Sequence, residues 1–162
     1  MPSANPGDPK EILKSLKLIH LAMMAGVLIF MLVALVLVAY SGPFAKFEPA
    51  AGQTIFLGFL LMAAILVSLA FLLHSRKCKN IAGLSLNDKL QVYRNSLILK
   101  FAMLEGSLFL GITTYLMTGL ATVATVSGMI FLLLLLSRPA TGQVISDLAL
   151  DAVEAEALED PT

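Results

Sequence analysis

Long apolar runs separated by short polar breaks dominate the chain. Four runs stand out, at residues 18–40, 54–73, 97–117 and 120–136. Three of them contain no Asp, Glu, Lys or Arg, and the third carries only Lys100 and Glu105. A hydrocarbon core about 30 Å thick takes about 20 helical residues. Inside it each backbone N–H and C=O must be bonded within its own segment, so such runs fold as helices. The pattern therefore predicts an all-α integral membrane protein with four transmembrane helices.

The breaks carry stop and start signals. Ser41-Gly42-Pro43 ends the first helix and Ser137-Arg138-Pro139 the fourth. Thr118-Gly119 joins the third and fourth in a tight antiparallel hairpin. The first pair is joined by residues 41–53, with Phe44 and Phe47 expected at the outer interface. Asp8-Pro9-Lys10-Glu11 reads as a cap, a proline in the first turn and an acid three after the cap. Ser85-Leu86-Asn87-Asp88 offers a similar start. Helices one (9–40) and three (from 86 or 87 to 117) are thus expected to protrude into the cytoplasm by two or three turns. The division that follows is a disordered stretch at 1–8, a four-helix transmembrane domain at 9–137, and an acidic amphipathic cytoplasmic tail at 138–162.

Composition agrees. Of 162 residues 58% are hydrophobic and 14% charged, which excludes an ordinary soluble domain, a disordered chain and a secreted disulfide scaffold. The single cysteine, Cys78, allows no internal disulfide. Net charge is zero, but its distribution is uneven. Lys10, Lys14, Lys17, Arg76, Lys77, Lys79, Lys89, Arg94 and Arg138 flank the spans on one side, against Lys46 alone on the other. The positive-inside rule then places both termini and the central loop in the cytoplasm. The first span is too long for a signal peptide and is read as an uncleaved anchor. The simplest location is a bacterial inner membrane, with the bilayer as one partner and no nucleic acid.

The two halves look related. Ala22-Met23-Met24-Ala25-Gly26 matches Ala102-Met103-Leu104-Glu105-Gly106 at an offset of 80, where Asp8 also meets Asp88, Lys14 meets Arg94 and His20 meets Lys100. This suggests two hairpins in parallel repeat; the shared Leu, Ala, Met and Gly alphabet of membrane helices is the alternative. Small residues four apart recur as Ala22/Gly26, Ala102/Gly106, Ser107/Gly111 and Ala124/Gly128. They let helices approach closely, in the same chain or another.

Glu105 is the residue that calls for an explanation. An intramembrane carboxylate costs about 2.5–3.5 kcal/mol on insertion scales. Three roles are open to it: a proton or cation site, a hydrogen bond to another helix of the bundle, and a polar contact with a different subunit. Lys100, near the boundary, is expected to snorkel to the headgroups. His20 and His74 read as interfacial histidines. Glu105, Ser107, Lys100 and His20 together make the candidate ion or interhelical polar site. Hydroxyls at Ser107, Thr113, Thr114, Thr118, Thr122, Thr125 and Ser127 either bond to their own helices or line a polar path from Glu105. No phosphate loop, metal motif or activated nucleophile appears, so no catalytic residue, metal or cofactor is expected.

The tail after Arg138 carries six acids and no base. Val144, Ile145, Leu148, Ala149, Ala152 and Val153 mark an apolar face. Anionic lipid repels such a helix, so it is expected to dock on protein, either on Arg76, Lys77 and Lys79 or on a partner; a solvated, frayed tail is the alternative.

Leu104-Glu105-Gly106-Ser107-Leu108-Phe109, in a plan of two hairpins, resembles the rotary ATPase proteolipid (c subunit) in its duplicated form. That resemblance implies Glu105 as a proton or sodium carrier. The chain departs from that family in carrying Glu105 on the first helix of its hairpin, in lacking the glycine-rich helix and polar loop, and in its long cytoplasmic helices and tail. It is also similar to small four-span bacterial membrane proteins of no assigned role. The leading expectation is a non-enzymatic accessory or interaction subunit of a larger membrane complex, with other membrane subunits or further copies as partners. Ion translocation through Glu105 is the alternative.

Overall fold

A computed structural model of the chain describes residues 9–79, 81, 83–156 and 158. They form an all-α fold: α1 (Pro9–Ser41), α2 (Pro49–Lys79), α3 (Leu86–Thr118), α4 (Ala121–Leu136), α5 (Thr141–Leu148) and α6 (Ala152–Glu156). No strand occurs among the described residues. The stretch 1–8 expected to be disordered, with its cap Asp8, lies outside the described residues, as do Glu159 and Asp160.

Local chemistry accounts for the boundaries. Ser85 caps α3: its hydroxyl accepts the Asp88 N–H at 3.3 Å and donates to the Asp88 carboxylate at 2.7 Å. Gly119 ends α3 in the left-handed region at φ 66°, where a side chain would be strained, and its N–H donates to the Tyr115 carbonyl. Gly42, at φ 75°, ends α1 in the same way. The turn after α1 is then stitched to the end of α3. Phe44 N–H donates to the Leu116 carbonyl at 2.9 Å and Ala45 N–H to the Met117 carbonyl at 3.2 Å, using acceptors that a helix end leaves open.

α1, α2 and α3 are each long and apolar enough to cross a membrane, and α4 becomes a fourth candidate if it is joined to α5 across a bend of 83°. α4 alone has 16 residues, a length of about 24 Å at helical rise. α2, for which no extension was expected, also outruns its apolar run. α2 continues for six residues past Leu73 to Lys79. Arg76, Lys77 and Lys79 in its last turn favour that extension by complementing the helix dipole.

The packing also departs from two self-contained hairpins. α3 lies at the centre, most extensively against α2 and then against α4 and α1, while α1 and α2 scarcely touch. Buried residues of α1 (Leu16, Val27, Ala34) and α2 (Phe59, Ala63, Ala70) join the cluster built on Leu97, Phe101, Leu104, Leu108 and Ile112 of α3. In the most apolar stretch of each helix, 11% of residues are buried in α1 and 17% in α2, against 50% in α3. Leu18, Ile29, Val36, Leu57 and Leu61 are among the apolar side chains left outward. That much contiguous exposed apolar surface is foreign to a soluble monomer.

The small residues expected at helix contacts divide between two environments. Gly111 is buried against Phe59 and Ser127, and Ala124 is half-buried on α4. Ala22, Gly26, Ala102 and Gly106 are exposed, and Gly128 is only half-buried. A Cβ added at Gly26, Gly106 or Gly128 would meet nothing within 4 Å. These five positions therefore do not pack helices within the chain, which leaves only the other alternative, a neighbour outside it, for any close approach there. The reason is rotational. α4 turns Val123, Ser127, Ile130 and Leu134 inward, and Gly128 stands about 100° round the helix from Ser127. α3 likewise buries Phe101, Leu104, Ser107 and Leu108, which leaves Ala102 and Gly106 on its other side.

The tail folds back onto the bundle. α5 packs on α2 and buries Val144 and Leu148. The expected single amphipathic helix is broken, because Ala149 takes a left-handed conformation at φ 47° and separates α5 from α6. Ala149, Ala152 and Val153 are exposed in consequence.

Candidate functional site

No hydrogen bond or ion pair joins any two of the four residues expected to form an intramembrane polar site. Ser107 donates to the Met103 carbonyl of its own helix at 2.9 Å. Thr114, Thr118, Thr125 and Ser127 are likewise bonded to carbonyls four residues back. Lys100 is buried at 4% exposure, with its ammonium 4.2 Å from the centre of the Phe71 ring, and does not reach outward. His20 is buried against the Phe101 ring at 4.6 Å, and neither of its ring nitrogens has a hydrogen-bond partner among the described residues. Glu105 is half-buried and makes no hydrogen bond or ion pair among the described residues. Of its three possible roles, a bond to another helix of the same chain is the one the geometry does not supply.

A different set of residues does converge. His74 and Cys78 stand one turn apart on α2, and Tyr93, Ser96 and Lys100 share a face of α3 at helical spacing. Packing α2 on α3 brings the two sets together, and α5 adds Asp147. His74 Nδ1 and Ser96 Oγ are 2.6 Å apart. Tyr93 donates its hydroxyl to Asp147 Oδ2 at 3.4 Å, and the same oxygen is 3.7 Å from His74 Nε2. A proton on Nε2 suits this network, with Ser96 donating to Nδ1. The Cys78 sulfur is 3.9 Å from both His74 ring nitrogens and 4.0 Å from Ser96 Oγ. Next to this cluster, Lys89 Nζ is 2.7 and 2.8 Å from the two carboxylate oxygens of Glu154.

The order Asp147, His74, Ser96 has the residue types of a nucleophilic relay, but Ser96 is 1% exposed and closed to a substrate. The same contacts link the tail to α2 and α3. A buried polar group is tolerable only when bonded, and leaving one unmatched costs about 1–3 kcal/mol. Asp147 completes the network only when α5 is docked. Among the described residues no group of three or more His, Cys, Asp or Glu is placed to hold a metal ion.

This cluster is not among the residues singled out from the sequence, where the tail is expected on Arg76, Lys77 and Lys79 or on a partner. The tail instead pairs with Lys89, Tyr93 and His74. The available signal was the polar spacing itself, with His74/Cys78 and Tyr93/Ser96/Lys100 each repeating at helical intervals. Comparisons with known protein families, curated proteins and solved structures find no match to the chain.

Proposed function

We propose that the chain is a four-span protein of a bacterial inner membrane, non-enzymatic, acting as an accessory or interaction subunit of a larger membrane assembly. The observation that carries this reading is the uncovered face of α3. Leu99, Ala102, Gly106, Phe109, Thr113 and Met117 follow one another at helical spacing and are all exposed, and half-buried Glu105 borders them. Lipid offers a carboxylate no donor, whereas a polar side chain of a neighbouring subunit does. Ala102 and Gly106 leave room for that neighbour, since a Cβ added at Gly106 would meet nothing within 4 Å.

Cytoplasmic termini are supported by the run of the helices. The antiparallel order of α1 to α4 gathers the nine flanking basic residues at one end, with Lys46 at the other. The buried Ser96 supports a non-enzymatic reading.

The test is a photocrosslinking amino acid placed at Ala102 or Phe109, with Leu61 on the lipid-facing side of α2 as control, followed by native mass after gentle extraction. The expected result is crosslinks to one defined subunit from α3 and not from Leu61, lost in Glu105→Leu and kept in Glu105→Gln. A lone 17.3 kDa chain with no crosslink overturns the reading. A ring of identical chains, with Glu105 modified by carbodiimide in a sodium- or pH-dependent way, replaces it with ion translocation.

A further inference from the structure

At the end of the bundle that carries the tail, α1 and the α4–α5 bend border a second, open pocket of mixed basic and apolar lining, separate from the His74 cluster. It has a volume of about 580 Å³ and is lined by Lys17, His20, Leu21, Met24, Leu135, Arg138, Pro139, Ala140 and Thr141. Four of its features point to one kind of ligand. Lys17 and Arg138 are cations without a carboxylate partner among the described residues, and no acidic residue lines the space. α5 follows Ala140, which offers no side-chain cap; Gln143 N–H donates to the Ala140 carbonyl at 3.0 Å, and the N–H groups of Thr141 and Gly142 have no partner among the described residues. His20 lines the same space, is only 5% exposed, and has no partner for either ring nitrogen. Leu21 and Leu135, both exposed, and half-buried Met24 continue the lining as apolar surface.

We propose that this pocket binds the phosphate headgroup of an anionic phospholipid, held by Lys17, Arg138 and the start of α5, with acyl chains along Leu21, Met24 and Leu135. Lys17 directly precedes the first apolar run and Arg138 closely follows the fourth, so both cations stand at the level of the headgroups. An anion there answers the open donors of α5, with the His20 ring forming part of the wall beside it. The apolar half of the lining separates a lipid from a free phosphate ion, which has no use for it. This inference rests on the reading of the helices as membrane spans with cytoplasmic termini. The basic side of a bilayer protein faces the more anionic leaflet, where basic pockets between helices take lipid headgroups.

Native mass spectrometry of the full chain, released from micelles doped with phosphatidylglycerol or with phosphatidylcholine, tests it. The expected result is retention of phosphatidylglycerol over phosphatidylcholine. Each lost cation near the surface weakens binding about fivefold, so Lys17→Gln with Arg138→Gln weakens it about thirtyfold. Arg76→Gln with Lys77→Gln, which removes two cations at the same end but outside the pocket, leaves retention unchanged. Equal loss in both double variants overturns the proposal, because it shows diffuse attraction and no site. Inorganic phosphate competing at the same strength as the lipid overturns the lipid assignment. Resistance of the chain to alkaline extraction from membranes is measured in parallel: failure there removes the membrane reading, whereas loss of lipid preference in an integrated, folded chain removes only this inference.

Discussion

Replacing Gly111 with alanine tests the packing of α3 against both α2 and α4. A Cβ built at this position meets the Phe59 ring at 3.0 Å and lies closer still to Ser127 Oγ. Carbon atoms prefer separations of about 3.5–4.0 Å, so the ring must retreat by about 0.5–1 Å. Ser127 yields by turning, at the loss of its 2.9 Å bond to the Val123 carbonyl. Phe59 is 3% exposed and has nowhere to turn unless α2 shifts. An extra methyl in a packed core costs about 1–3 kcal/mol, and crowding on two helices places this site toward the upper end. The gain in helix propensity, about 1 kcal/mol, opposes it. A net loss of about 1–2 kcal/mol follows, or about five- to thirtyfold in the folding equilibrium. Gly106→Ala is the control, since its added methyl meets nothing within 4 Å. Unfolding of the purified chain by dodecyl sulfate in mixed micelles measures both variants. Equal stabilities within about 0.5 kcal/mol, or a less stable Gly106→Ala, would refute the packing argument.

The docked tail shields Cys78, which is buried and free. A maleimide should therefore label the full chain slowly, and Leu148→Asp, by undocking α5, should speed labelling about tenfold or more. Equal rates would mean that α5 does not cover the thiol. Glu154→Gln removes a partly buried ion pair worth about 1 kcal/mol, so proteolysis between α5 and α6 should rise about fivefold at low salt and less at high salt. Ser96→Ala leaves His74 Nδ1 without its partner and should lower stability by about 1–3 kcal/mol, whereas adding His74→Leu should recover part of that loss. Additive losses in this thermal-melt comparison would argue against a shared network.

The long apolar helices and their ends were legible because each rests on local chemistry. Lipid leaves an apolar run few alternatives to a helix, and Gly42, Ser85 and Gly119 carry their turn and cap preferences with them. Helix order in space was not legible. The runs are apolar on nearly every side, so hydrophobic periodicity names no inward face. Small residues did not name it either: Gly111 and Gly128 look alike in sequence, yet one is crowded by two helices and the other borders open space. The one available clue was that α3 alone carries Lys100 and Glu105 and buries Ser96 and Ser107, groups that call for protein neighbours. The break at Ala149 was hidden for another reason. Alanine favours helix, and the turn there follows from long-range anchors, Leu148 in the core and Glu154 on Lys89. His20 and Lys100 read as boundary residues from their place in the runs, yet rings of Phe101 and Phe71 cover them. Aromatic cover of this kind comes from helices distant in sequence.

The central place of α3 bears on how the molecule is made. Its first two helices leave the ribosome before α3 and find almost no surface on one another. On the proposed membrane reading they enter the bilayer as separate rods, each stable by its own backbone bonds, with little surface to settle against one another. Only the third helix supplies the seam that both require, and the fourth then packs onto it. Assembly is thus a late step of synthesis, and a chain halted after α2 presents two unpaired rods to the quality-control proteases of the membrane.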